Sequence, residues 1–275
     1  MSYSQPVAID SLLTVNQFHP HHLTLNSPWP ILTAGSTLAI LTGAVYWFNA
    51  INHGGYILVL GIFVTIIAFT LWWRDVITEA TYLGHHTRVV QEGLSIGFSL
   101  FVLTEAFFFL SIFWAYFHSG LSPTVELAQW PPVAIPALSP VTVPLLNTIL
   151  LVSSGATVTY GHHALILGNR KAALQGTLAT VVLAILFTGA QIYEYIEAGF
   201  TIADGAFGTC FFFGTGFHGF HVFIGTAFIA VGLVRISLYH FTATHHLGFE
   251  SSILYWHFVD VVLLGLYLIF YWWGA

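Results

Sequence analysis

Seven apolar runs, each long enough to cross a bilayer, decide what this chain can fold into. They cover roughly residues 31–50, 55–73, 86–119, 143–167, 171–198, 205–240 and 251–273. Irregular backbone cannot face lipid, because nothing there satisfies its N–H and C=O groups, so each run is predicted to be a helix. The predicted fold class is all-α, a polytopic membrane protein of seven transmembrane helices. Composition agrees: only 6% of the 275 residues are charged, against about 25% in a soluble domain. Aromatic residues make up 17%, which suits lipid-facing surfaces and interfacial belts.

The same numbers exclude other classes. With five basic residues and a net charge of −6, the chain lacks the basic footprint that nucleic acid requires. One cysteine, Cys210 within an apolar run, excludes an internal disulfide framework and a thiolate metal cluster. The first 28 residues hold no Lys or Arg, one acid (Asp10), and His19, His21 and His22. That is neither a secretory signal nor an Arg-rich transit peptide. The expectation is a chain made where it is inserted, or processed before this sequence begins.

The connections differ in character. Residues 51–54 read as a tight turn and 74–85 as a polar linker. Residues 120–142 read as a non-helical loop, because they carry Pro123, Pro131, Pro132, Pro136 and Pro140. The linker suggests a division into an N-terminal segment (1–26), helices 1–2 (27–85) and helices 3–7 (86–275). With the N-terminus inside, Arg74, Arg88, Arg170, Lys171 and Arg235 all fall at inner ends, whereas Glu126, Glu197 and Asp204 lie outside. This obeys the positive-inside rule, and the reverse orientation breaks it five times over.

Within the third run sits a carboxylate, Glu105, flanked by Phe and Leu. As one helix this run would be roughly 50 Å long, beyond a hydrocarbon core of about 30 Å, so it must tilt or project. A charged side chain at bilayer depth costs about 2.5–3.5 kcal/mol on insertion scales, so Glu105 is expected to turn inward to a partner. Two readings stand side by side: a carboxylic acid that only ties helices together, or a group with a direct role in proton or lipid handling. Counted from the outer end, Glu105 lies about 14 residues in, or roughly 21 Å. In the sixth run His218 and His221 lie at roughly 20–24 Å by the same count. No Lys or Arg reaches that depth. Burial favours the neutral acid, which can donate to an imidazole nitrogen, and the expectation is a hydrogen bond from Glu105 to His218 or His221.

Histidine is abundant, with fifteen copies. The pairs His85-His86, His162-His163 and His245-His246 fall near inner ends. Neighbours on a helix point about 100° apart and do not readily share a metal, so these pairs read as interfacial. No Glu-x-x-His motif supports a di-iron bundle, and a single deep pair, His218 and His221, does not make a bis-histidine haem site. In the seventh run His257 and Asp260, three apart, can hydrogen-bond along one face as a structural pair. Nucleophile-elbow, phosphate-loop and zinc motifs are absent. No catalytic, metal or cofactor-binding residue is predicted.

The residues of the chain from Ser27 onwards resemble the subunit III family of the haem–copper cytochrome c oxidases. The resemblance runs through Trp72-Trp73-Arg74-Asp75-Val76, Gly84-His85-His86-Thr87, Glu105 with Phe107 and Phe108, and Trp130-Pro131-Pro132. It continues through Pro144-Leu145-Leu146-Asn147-Thr148, Gln191 with Glu194 and Tyr195, and Thr215-Gly216-Phe217-His218. It closes with His245-His246-Leu247-Gly248-Phe249-Glu250, Tyr255-Trp256-His257-Phe258-Val259-Asp260 and Tyr271-Trp272-Trp273-Gly274. It implies a subunit without redox centres that packs beside the haem–copper subunit I and the copper-bearing subunit II. Such a chain would hold structural phospholipids in a cleft between a two-helix and a five-helix part, and would support proton uptake and sustained turnover. The implied location is the mitochondrial inner membrane with the N-terminus in the matrix, or a bacterial plasma membrane with it in the cytoplasm.

Glu105 matches the family's intramembrane glutamate. Trp73, Glu79, His86 and Arg235 match lipid-cleft positions, and Arg88 is a further cation on the same side. Thr78 and Ser95 stand where the family often has arginine, removing two cations that could hold lipid phosphate. Readings from other classes are the equivalent subunit of a quinol oxidase, a proton-coupled transporter and a haem-binding membrane cytochrome. Internal repeats would favour the transporter, and none is visible.

Overall fold

The computed structural model describes residues 19–123, 129–133 and 135–274. Asp10, Glu126 and most of the N-terminal segment 1–26 lie outside the described residues. The helices are α1 (Trp29–Phe48), α2 (Gly54–Thr81), α3 (Arg88–Leu121), α4 (Val143–Ile166), α5 (Arg170–Glu197), α6 (Gly205–Ser237) and α7 (Leu247–Leu266). A π-helical stretch, Tyr267–Trp272, continues α7. All seven are long and apolar enough to cross a membrane, and no strand occurs among the described residues.

By internal packing the chain divides into residues 1–94 and 95–275. The division falls inside α3 rather than at residue 85. In the first unit the polar stretch 74–85 is not a linker: α2 runs on through it to Thr81. The sequence Arg74-Asp75-Val76-Ile77-Thr78-Glu79-Ala80-Thr81 has no Gly or Pro to stop a helix. Asp75 is held by the Trp29 indole, which donates at 2.6 Å, and by Arg74 at 2.8 Å. The break comes at Gly84, whose φ of +66° only a residue without Cβ adopts freely. Thr65 donates to Ser36 at 2.7 Å, joining α2 to α1.

In the second unit α4–α7 carry most of the packing. A third to a half of the apolar window of each is buried, rising to 50% for α7. Lipid is as apolar as Leu, so helices in a bilayer associate through close contact and interhelical hydrogen bonds. The α4–α5 contact is built this way. A Cβ on Gly176 would stand 2.8 Å from the Gly161 nitrogen and from the Thr157 carbonyl oxygen. Beside it, the Thr157 and Thr180 hydroxyls meet at 2.8 Å. Ser154 accepts a 2.8 Å bond from the buried Trp256 indole, joining α4 to α7.

Apolar packing falls into two groups. One gathers around Trp256, with Leu151, Val158, Phe187, Ile229 and Phe249. The other is aromatic: Tyr116, Phe207, Phe211 and Phe270 meet at ring distances of 4.5–6.3 Å, with Phe109 buried in the same group. The π-helical turn presents Phe270 and Tyr271 inward, at 2% and 4% exposure.

Candidate functional site: a carboxyl–imidazole pair between two helices

Glu105 lies near the middle of α3, and its neighbours in sequence are too apolar to satisfy it. Across from it, His218 and His221 sit one turn apart on the buried face of α6. The structure brings Glu105 to one of them: its Oε2 is 2.9 Å from His221 Nε2. The Glu105 side chain keeps a quarter of its surface exposed, and that of His221 only 9%. The other ring nitrogen of His221, Nδ1, is 2.7 Å from the Phe217 carbonyl oxygen. A carbonyl only accepts, so Nδ1 carries a hydrogen. Two arrangements then satisfy the contact: a neutral carboxyl donating to a neutral imidazole, or an imidazolium donating to a carboxylate. Both are electrically neutral as a pair and hold one proton on the Glu105–His221 axis. Phe109 meets the His221 ring edge-on at 5.0 Å and Tyr255 stacks at 6.1 Å, so the imidazole cannot swing freely.

His218 is not part of this pair. Its Nε2 donates to the Val259 carbonyl of α7 at 3.3 Å, and Phe187 packs edge-on against its ring. Depth alone left both histidines eligible; rotation of α6 sends them to different neighbours. His257 and Asp260 do pair, His257 Nδ1 standing 3.6 Å from Asp260 Oδ2, within ion-pair reach and long for a hydrogen bond. The other ring nitrogen, Nε2, meets Thr159 of α4 at 3.1 Å.

The residues matched to lipid positions fall on separate units. Trp73, Glu79, His86 and Arg88 belong to the first and Arg235 to the second. Trp73 is about half exposed and packs edge-on against Phe69. Arg88 pairs with Glu92 at 3.2 Å on an exposed face. The guanidinium of Arg235 lies 4.2 Å over the Phe241 ring, an arrangement that leaves a cation beside apolar surface.

A second buried carboxyl was not singled out from the sequence. Glu194, 3% exposed, accepts from the Tyr271 hydroxyl at 2.5 Å and from the Gln191 amide at 3.2 Å. Gln191 accepts in turn from Asn147 at 3.2 Å. The chain of bonds ties α4, α5 and the π-helical turn together. The i, i+3 spacing of Gln191 and Glu194 was legible; the approach of Asn147 and Tyr271 was not.

Taken together, seven spanning helices, an outward surface of Leu, Ile and Phe, and polar groups paired between helices define a multi-pass membrane protein. Comparison with known proteins narrows this. Residues 19–275 match the family model described as cytochrome c oxidase subunit III. A cytochrome c oxidase subunit 3 from Mycosarcoma maydis is 58% identical, with 94% of this chain and 96% of that protein aligned. Those of Neurospora crassa and Podospora anserina are 57% and 56% identical over 94% of this chain and 97% of theirs. The chain belongs to the cytochrome c oxidase subunit III family. This naming does not favour the quinol-oxidase, transporter or cytochrome readings.

Proposed function

We propose that this chain is the third core subunit of a cytochrome c oxidase, itself without a redox centre, packing beside the haem–copper subunit I and the copper-bearing subunit II. It sits in the mitochondrial inner membrane with its N-terminus on the matrix side. The fungal relatives support that location, since fungal respiration is mitochondrial, and the one-sided placement of all five cations supports that orientation. Phospholipid headgroups are held at the cation-bearing end, with Trp73, Glu79, His86 and Arg88 on the first unit and Arg235 on the second.

The observation that carries the functional reading is the contact between Glu105 and His221, 2.9 Å apart with no Lys or Arg at that depth of the sequence. A neutral pair that can shift its proton suits support of proton uptake by a neighbouring catalytic subunit. Electron transfer itself needs metal centres carried elsewhere. In the assembled oxidase, Glu105→Gln should therefore leave the initial turnover rate largely intact and weaken proton uptake or durability during sustained turnover. Immediate loss of oxygen reduction in a fully assembled variant would reject an accessory role. Retained phospholipid, counted by native mass spectrometry, should fall in Arg235→Ala; unchanged occupancy would remove Arg235 from the lipid assignment.

A further inference from the structure

The turn between α1 and α2 borders a cavity of about 610 Å³, whose lining includes Trp47, Asn52, His53, Gly55 and Tyr56. That volume falls within the range of small-molecule sites, about 300–1,000 Å³. Its walls carry no carboxylate, ammonium or guanidinium, since residues 31–73 contain no Asp, Glu, Lys or Arg. Two of the lining side chains are aromatic and open to their surroundings, Trp47 at 61% and Tyr56 at 79% exposure. A Cβ on Gly55 would stand 2.3 Å from Trp47 Cζ3, so the indole lies directly on the first turn of α2. The His53 ring stands 6.2 Å from that of Tyr56. No side chain caps the start of α2, and no acid lies in its first turn. The amides of Gly55 and Tyr56 find no acceptor among the described residues. The positive end of a 28-residue helix therefore borders the same cavity as the two rings.

We propose that this cavity binds the headgroup of a phosphatidylcholine lipid, independently of the accessory role above and of the headgroups held at the cation-bearing end. A quaternary ammonium has no N–H to satisfy and is held by aromatic faces, Trp best of all. Trp47 and Tyr56 bring two aromatic rings to one cavity. The phosphate of the same headgroup takes the free amides at the start of α2, as anions do at helix N-termini. Charge decides between lipid classes. A zwitterion brings both of its charges with it, whereas an anionic headgroup would meet no Lys or Arg between residues 31 and 73. The primary ammonium of phosphatidylethanolamine carries three N–H donors, like that of Lys, and asks for acceptors rather than rings. The acyl chains have a path as well. Val59 and Phe63 follow Tyr56 at helical spacing along α2, and both are exposed.

The test uses the purified oxidase complex in two kinds of nanodisc, one of phosphatidylcholine and one of phosphatidylethanolamine with phosphatidylglycerol. A map of the wild-type complex should show headgroup density beside Trp47 and Tyr56 in the first and none in the second. In detergent, the complex is titrated with dihexanoyl phosphatidylcholine and the bound lipid is counted by native mass spectrometry. Tyr56→Leu and Trp47→Leu should each weaken one site about two- to fivefold, while Tyr56→Phe, which keeps the ring, binds as wild type. Other lipid sites of the assembly cancel in this comparison. Tyr56 is the more exposed of the two, so its variants carry the result if Trp47→Leu loosens the turn. Arg235→Ala should leave this site unchanged, which tells its loss apart from a loss of lipid at the cation-bearing end. Absent density in phosphatidylcholine, equal density in both nanodiscs, or equal affinity in wild type and Tyr56→Leu overturns the proposal. Trp47 and Tyr56 would then be members of an ordinary interfacial belt.

Discussion

Glu105 Oε2 and His221 Nε2 stand 2.9 Å apart while His221 Nδ1 is committed to its own helix, so the pair is neutral whichever partner holds the proton. The acid needs no counter-ion, only an imidazole whose far side is already engaged. Glu105→Gln keeps a donor at the same place, since the amide can give its hydrogen to Nε2. Glu105→Ala leaves that nitrogen buried without a partner, at a cost of about 1–3 kcal/mol. Thermal unfolding in detergent should therefore rank wild type and Glu105→Gln close together and Glu105→Ala clearly below. Equal stability of the Gln and Ala variants would show that the hydrogen bond contributes nothing to the α3–α6 contact.

Arg170 acts as a clip across two helices. From the first position of α5 its Nε donates to the Ile236 carbonyl at 3.0 Å, its Nη2 to the Ser237 carbonyl, and its guanidinium lies 3.7 Å over the Tyr239 ring. The last carbonyls of a helix have no partners within it, and here a neighbouring helix supplies them with a cation. Arg170→Lys keeps the charge and loses the planar fork and the stacking. We expect it to cost about 1–3 kcal/mol, and amide exchange at 236–240 to speed up. Exchange at wild-type rates would argue that solvent caps α6 equally well.

Gly176 and Gly189 make a paired experiment on one helix. Gly176 faces backbone atoms of α4 at 2.8 Å, whereas nothing lies within 4 Å of a Cβ at Gly189. Gly176→Ala forces the helices apart, for about 1–3 kcal/mol of overpacking strain. Gly189→Ala should be neutral or stabilising by up to about 1 kcal/mol through helix propensity. If both variants lowered the midpoint of thermal unfolding alike, the α4–α5 contact would not be the tight one described.

The Tyr271–Glu194 bond predicts coupling between α5 and the end of α7. Tyr271→Phe removes one of two donors to a carboxyl that is 3% exposed, and should cost about 1–2 kcal/mol. Combined with Glu194→Gln, it should show non-additivity of at least about 0.5 kcal/mol, as contacting residues do. Strict additivity in the double-mutant cycle would separate the two residues energetically.

Much of this was legible in the sequence for a physical reason: lipid forbids unsatisfied backbone, so hydrophobic length alone specifies helices and their number. Depth could also be counted along helices, which brought Glu105 level with the α6 histidines. Rotation could not be counted, because α6 is apolar on every side and carries no stripe that marks its inner face. That left His218 and His221 indistinguishable until packing assigned one to Glu105 and the other to Val259. The same limit hid the meeting of His162 with His246, whose Nε2 atoms stand 3.2 Å apart. The helix over 74–81 was missed because polarity was taken as a break, although polarity ends a membrane span and not a helix.

The π-helical turn at Tyr267–Trp272 has a consequence for insertions and deletions. Such a turn holds one more residue than an α-turn, so it behaves as a vernier between the residues before and after it. Excising a single residue there would restore ordinary winding and leave the residues beyond facing much as before, whereas the same excision from an α-turn swings everything beyond by roughly 100°. A residue lost earlier in α7 would thus carry Tyr271 away from Glu194 and turn Trp273, now 5.7 Å from Tyr116, another way. The π-turn is therefore the place where the aromatic end of the bundle can absorb a change of one residue in length.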